Sequence, residues 1–228
     1  MALFTESRDY IKEYNFILYN PGEAGNFLSR LFSLSDGTQF LWTQGTCACV
    51  PKDHSLQEKL KWYWYSPDKI KQWLRDAHHI PHGWDMIMIR LRDWEFNTSV
   101  ITCGHYDTFH FMNDDDMPHI FNPARKEIIE RFFAVRVNRE NIKRLITTSV
   151  KVPRDLDAVT KEVTHRISVV TTIEDIYLDD ILLGGQFFLK EYHRVCGLMN
   201  IVPIPDDVAL MFLDNWKSFR YPFLSPKT

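Results

Sequence analysis

The sequence predicts one α/β domain over residues 1–228, a three-layer sandwich with a mainly parallel central sheet and a helical insert at roughly residues 40–85. Three observations predict it. Short apolar runs alternate with segments of helical periodicity, the pattern of strands covered on both faces. The first such run ends in a Gly-containing turn that leads directly into an amphipathic helix. No repeat, low-complexity tract or Pro/Gly/Ser-rich linker divides the chain.

Phe16 to Tyr19 is a short apolar run closed by Asn20-Pro21-Gly22, and it reads as a buried strand. From Asn26 onward Phe27, Leu28, Leu31, Phe32 and Leu34 recur at helical spacing. In the insert, Ser55 to Tyr65 and Pro67 to His78 read as helices, with Ser66 as N-cap and Pro67 at the first helical position. Met86 to Leu91 and the β-branched Ser99 to Cys103, ended by Gly104, read as strands. Asn113 to Pro123 is a polar loop. Phe132 to Val137 is a strand, Arg139 to Thr147 a helix and Ile167 to Thr171 a further strand. From Glu174 to about Met199 the pattern is helical, interrupted at Gly184-Gly185. Pro203 and Pro205 stop it, and Asp206 or Asp207 caps a last helix through Phe219.

The 228 residues are 45% hydrophobic and 25% charged, enough for a sizeable core. A net charge of −3 gives no basic field for nucleic acid, so none is expected as a partner. No apolar run reaches the ~20 residues of a membrane span, and no membrane partner is expected. Four scattered cysteines and a polar, charged start to the chain fit reduced thiols and a cytoplasmic location.

Parallel sheets bind ligands beyond the carboxyl ends of their strands. That places Asn20 to Asn26, Gly104 to Asp107 and Asn138 to Glu140 along one edge. In the first of these, two glycines permit backbone paths closed to other residues, and the following helix offers unpaired N–H groups to an anion. The candidate binding residues there are Gly22, Glu23, Ala24, Gly25, Asn26 and Phe27. The turn lacks the Gly-Lys-Ser/Thr of a nucleoside-triphosphate loop, and Ser29 comes four residues after Gly25. A tight strand-to-helix turn without a ligand is the other reading.

The segment Pro21-Gly22-Glu23-Ala24-Gly25-Asn26-Phe27-Leu28 resembles the phosphosulfate loop of the sulfotransferase family, whose loop often reads Pro-Lys-Ser-Gly-Thr-Thr-Trp-Leu and in divergent members ends Gly-Gly-Asn-Phe-Leu. The resemblance implies a P-loop NTPase-like sheet and a loop that binds the 5′-phosphosulfate of 3′-phosphoadenosine 5′-phosphosulfate (PAPS). Phe133 to Glu140 is similar to the family's central strand and turn, which puts Arg136 on the 3′-phosphate; Arg144 stands where the family has a serine, as a candidate charged contact to that phosphate, with a solvated helix residue as the other reading. Thr172 to Ile176 looks like the family's Tyr-Glu-Asp-Leu segment, and Leu198 to Pro205 resembles the turn after the next helix. Two departures concern the loop itself: Gly22 occupies the family's lysine position, and Glu23 brings a negative charge.

His105, just past the strand Ser99 to Cys103, is the candidate general base for an acceptor hydroxyl, with Asp107 and His110 as neighbours; a hydrogen-bonded histidine at a strand end is the bland alternative. Cys47, Cys49, His54, His78, His79 and His82 lack zinc-finger spacing, and no metal is expected. Asp114-Asp115-Asp116 fits a solvated acidic loop. Trp62, Tyr63, Trp64 and Tyr65 cannot all face one core.

Two functional classes follow, with a third behind them. The first is a sulfotransferase that moves a sulfuryl group from PAPS to a hydroxyl or amine of a small-molecule or glycan acceptor. The second is a non-catalytic binding or assembly protein that keeps the fold, favoured by the missing lysine and by Glu23. The third, a nucleotide or nucleoside kinase, lacks its phosphate-binding lysine.

Overall fold

The computed structural model describes residues 12–42, 54–69, 71, 99–106, 128–140, 142, 156–169 and 171–220. Its centre is a five-stranded sheet in the order β2-β3-β1-β4-β5, and all four pairings are parallel. The strands are β1 (Lys12–Tyr19), β2 (Thr38–Trp42), β3 (Ser99–His105), β4 (Ile128–Arg136) and β5 (Ile173–Tyr177). The helices are α1 (Gly25–Ser33), α2 (Leu56–Tyr63), α3 (Leu156–Ser168), α4 (Leu178–Leu183), α5 (Gly185–Met199) and α6 (Asp206–Arg220).

Period-2 alternation divides the sheet into two faces. Ile17 and Tyr19 of β1, Ile101 and Cys103 of β3, and Phe133 and Val135 of β4 share one core with α1, α5 and α6. Within it Phe27 stacks on Trp216 with ring centroids 4.2 Å apart, tying the start of α1 to α6. Phe16, Leu18, Phe132 and Ala134 are buried on the other face, outside that core, and Phe16 stacks on Phe132 at 5.0 Å. There α3 contributes buried Val159, Val163 and Ile167, one stripe at i, i+4 and i+8. Helices on both faces of a parallel sheet make the predicted α/β sandwich.

The strand expected at Ile167 to Thr171 begins inside α3, which holds Ile167 and Ser168, and the strand lies a few residues on, at Ile173–Tyr177. Ile167 belongs to the helical stripe with Val159 and Val163, which outweighs the β preference of the run that follows it. Among the described residues β5 is an edge strand with one hydrogen-bonded neighbour, and its pattern, with Glu174 and Asp175, is only partly apolar. The helical reading of Glu174 to Met199 therefore resolves into β5, α4 and α5, broken at Gly184 (φ 73°) and Gly185 (φ 54°). β2 starts at Thr38, so a sheet strand overlaps the beginning of the expected insert.

The insert helix α2 begins with a capping box in which Ser55 and Glu58 satisfy each other's backbone amides. Lys59 docks it: its buried Nζ donates to the carbonyls of Ser35 (2.5 Å) and Thr38 (3.0 Å). Burial pushes the Lys59 ammonium down to about 8, although Asp36 works in its favour. The backbone amide of Lys69 donates to Ser66 Oγ at 3.4 Å, as expected of an N-cap before Pro67. Trp62 is 56% exposed while Tyr63 and Tyr65 are buried, so the aromatic run does split between faces. The strand expected at Met86 to Leu91, the loop Asn113 to Pro123, most of the helix Arg139 to Thr147 and the Cys47/Cys49 and His78–His82 groups lie outside the described residues. No helix among the described residues is long and apolar enough to cross a membrane.

Candidate functional site

The strand order fixes where a site can form. The central strand β1 lies between β3 and β4. Its onward connection, through α1, leads to β2 on one side, whereas β4 leads through α3 to β5 on the other. The chain thus parts at the carboxyl ends of β1 and β4, and this divergence opens a crevice. Asn20 to Ala24 and Arg136 to Arg139 are the two segments that border it.

Asn20-Pro21-Gly22-Glu23 is a tight turn closed by the Glu23 amide donating to the Asn20 carbonyl at 3.0 Å, with Gly22 at φ 94°. Ala24 then takes a left-handed conformation (φ 60°, ψ 18°) and α1 starts at Gly25. The two glycines serve different ends. Gly22 supplies a positive φ; Gly25 supplies space, because a Cβ there would lie 2.1 Å from the Tyr19 ring. Ala24 makes no side-chain cap. The first backbone bond of α1 runs from Leu28 to Ala24, so the amides of Gly25, Asn26 and Phe27 find no acceptor among the described residues. These are the amides the sequence assigned to an anion.

The side chains of the turn face inward. Glu23 folds back, accepting from the Asn20 amide at 2.7 Å and from Asn20 Nδ2 at 3.3 Å. Asn20 Oδ1 accepts from Thr160 of α3 at 3.2 Å. Asn26 Oδ1 accepts from the Cys103 thiol at 3.3 Å, which turns it toward the sheet. Ser29 donates to the Gly25 carbonyl at 2.9 Å. Burial pushes the Cys103 thiol up to about 11.

Arg136 ends β4 on the α3 face and is a little over one-third exposed. Its Nε donates to Asp175 Oδ1 at 2.8 Å. Partial burial works against its charge, but Asp175, Tyr106 and Glu23 together hold its pKa above the usual arginine value. Just beyond, the buried Asp179 accepts from the amides of Asn138 (2.6 Å) and Arg139 (3.0 Å), which fixes the turn after β4. Nothing in the spacing of Asp179 distinguished it in the sequence from a helix-start acid; its role depends on α4 reaching the β4 turn.

His105 is half-buried and is level with Tyr19 in the β1–β3 register. Its ring meets Tyr19 edge-on, centroids 4.5 Å apart. It continues the alternation of Ile101 and Cys103, so it lies on the α1 face, whereas Arg136 lies on the α3 face. The two stand on either side of the turn. Arg144, Asp107 and His110 lie outside the described residues. Among the described residues no group of three or more His, Cys, Asp or Glu side chains is placed to hold a metal.

Compared with known proteins, the chain matches no family model and no curated protein at a significant level.

Proposed function

We propose that the chain is a sulfotransferase-like protein that binds PAPS at the carboxyl edge of its sheet and transfers the sulfuryl group to a hydroxyl or amine. One observation carries the reading: the amides at the start of α1, which find no acceptor among the described residues, and the arginine at the end of the neighbouring strand β4 border the same crevice. Amides and a helix amino end suit the phosphosulfate, and a guanidinium suits the 3′-phosphate. In the transfer, the bond from sulfur to the bridging phosphate oxygen breaks as the acceptor oxygen or nitrogen attacks sulfur. His105 takes the acceptor proton, and adenosine 3′,5′-bisphosphate leaves with the electron pair. Fixed amides aimed at the transferring group stabilise its charge without reorganising. A donor carrying a phosphate at one end and a sulfuryl group at the other fits an arginine and a histidine on opposite sides of one turn. The reading requires no metal.

A specific observation favours the second reading, a non-catalytic binding or assembly protein. Glu23 places a carboxylate in the turn where the family's loop is cationic, and it already engages the Asn20 amide. Calorimetry separates the readings. Binding of adenosine 3′,5′-bisphosphate supports the first, preference for ATP with magnesium supports a kinase, and no binding of either leaves the assembly protein.

A further inference from the structure

The outer edge of β5 carries side chains where a further strand would dock. β5 pairs with β4 along one edge, and among the described residues no strand pairs with the other. An edge of this kind presents backbone N–H and C=O groups with which another chain can pair. Here two of them are taken. The Tyr177 amide donates to Glu191 Oε1 of α5 at 2.7 Å, and the Asp175 carbonyl accepts from Arg194 Nη2. Backbone groups two residues apart point to the same side of a strand, so both belong to one edge. Glu191 and Arg194 act as one unit: Arg194 donates through Nε to Glu191 Oε2 and through Nη2 to Oε1, both at 2.7 Å. The guanidinium also lies over the Tyr177 ring, 5.4 Å from its centroid. Glu191 is buried, and a buried carboxylate is costly unless paired and hydrogen-bonded, as this one is. Water would serve both backbone groups at an open edge. Water gives way to an incoming strand, however, whereas a bidentate ion pair fixed on a helix does not.

We infer that Glu191 and Arg194 guard the edge of the sheet: they hold the outward backbone groups of Asp175 and Tyr177 and so keep any further strand from pairing with β5. The strand is short, at five residues, so its outward positions are only Ile173, Asp175 and Tyr177, and the pair occupies groups of two of them. The inference does not depend on the proposed function.

The test is fluorescence anisotropy of a labelled peptide, Ile128–Arg136, titrated with the wild type and with two double variants, and a thermal melt of each protein. The peptide is the strand that β5 already accepts on its inner edge, and its Arg131 and Arg136 suit the acids Glu174 and Asp175. Glu191→Ala with Arg194→Ala removes both contacts and leaves no lone buried charge. It is expected to bind the peptide at least about 10-fold more tightly than the wild type, the difference that two regained backbone hydrogen bonds make. Hydrogen exchange should show the Tyr177 amide open in the free variant and protected once peptide is bound. Glu191→Gln with Arg194→Met keeps an acceptor for the Tyr177 amide and an unbranched side chain beside its ring, but frees the Asp175 carbonyl. If the alanine pair does not fold, this milder variant is read instead, with a gain of about 3-fold expected from one group. Equal affinity in the wild type and a folded variant, or binding in neither, overturns the inference and leaves the pair as an anchor between α5 and β5. For the alanine pair, a gain in affinity without protection of the Tyr177 amide overturns it as well, because the peptide then binds elsewhere.

Discussion

Arg136 and Asp175 join the last two strands at the carboxyl edge of the sheet, Nε to Oδ1 at 2.8 Å. Both side chains are more than one-third exposed, so the pair stabilises the fold by no more than about 1 kcal/mol. Its consequence is for binding, because Asp175 competes for the guanidinium with any anion in the crevice. Asp175→Asn is expected to tighten adenosine 3′,5′-bisphosphate binding severalfold, and Arg136→Met to weaken it by at least about 10-fold. Calorimetry reads both, and urea unfolding should show each variant within about 1 kcal/mol of the wild type. Equal affinities in all three proteins would remove Arg136 from the site.

Gly25 and Ala24 are expected to respond in opposite directions. A methyl at Gly25 collides with the ring of buried Tyr19, so Gly25→Ala should cost about 1–3 kcal/mol by overpacking. Ala24 holds a left-handed backbone that costs a non-glycine residue about 1–2 kcal/mol. Relief of that strain, less the added freedom of a glycine in the unfolded chain, should make Ala24→Gly neutral or more stable by up to about 1 kcal/mol. Thermal melts of the two variants check the signs.

Asp179 holds two backbone amides of the β4 turn from a buried position. Asp179→Ala removes both acceptors at once. It should destabilise the protein by about 2–4 kcal/mol, in the range of other broken buried polar networks, as measured by denaturant midpoint. A loss below about 0.5 kcal/mol would mean the turn is set by other contacts.

Alkaline pH should expose the buried thiol beside the turn. The folded Cys103 pKa is raised by burial from 9.0 to about 11, so between these values the native state holds a proton that the unfolded chain has lost. Its stabilising contribution is whole below pH 9 and is lost as pH rises through 11, at most about 2–3 kcal/mol. Lys59 acts oppositely: its pKa is depressed from 10.5 to about 8, so the unfolded chain binds the extra proton and this residue's contribution rises across that window. Stability measured from pH 8 to 11 should therefore fall less steeply in Cys103→Ala than in the wild type. Lys59→Met should fall more steeply. Parallel curves for all three would contradict both assignments.

His105→Ala tests the proposed base. Turnover should drop by about 10²–10⁴-fold while donor affinity changes little, because the imidazole lies on the face away from Arg136. The acidic limb of the pH–rate profile should disappear with it. Unchanged turnover would transfer the role to another group.

The sequence by itself determined the covered parallel sheet and its first turn. Apolar runs such as Phe16 to Tyr19 and Phe132 to Val135 have no polar face to offer water, so they must lie inside a sheet covered on both sides. Gly22 and Gly25 likewise announced a turn that a Cβ would obstruct. The sequence misplaced β5, because a strand at the edge need not be apolar and Ile167 fits a helix stripe as well as a strand. Only the tertiary structure decided which side chains meet. The order β2-β3-β1-β4-β5 sets Arg136 beside the turn and brings Asp175 to it from 39 residues away. Strand alternation sends His105 and Arg136 to opposite faces. Local pattern reports how much of a residue is buried; partners depend on strand order and register, which long-range pairing selects.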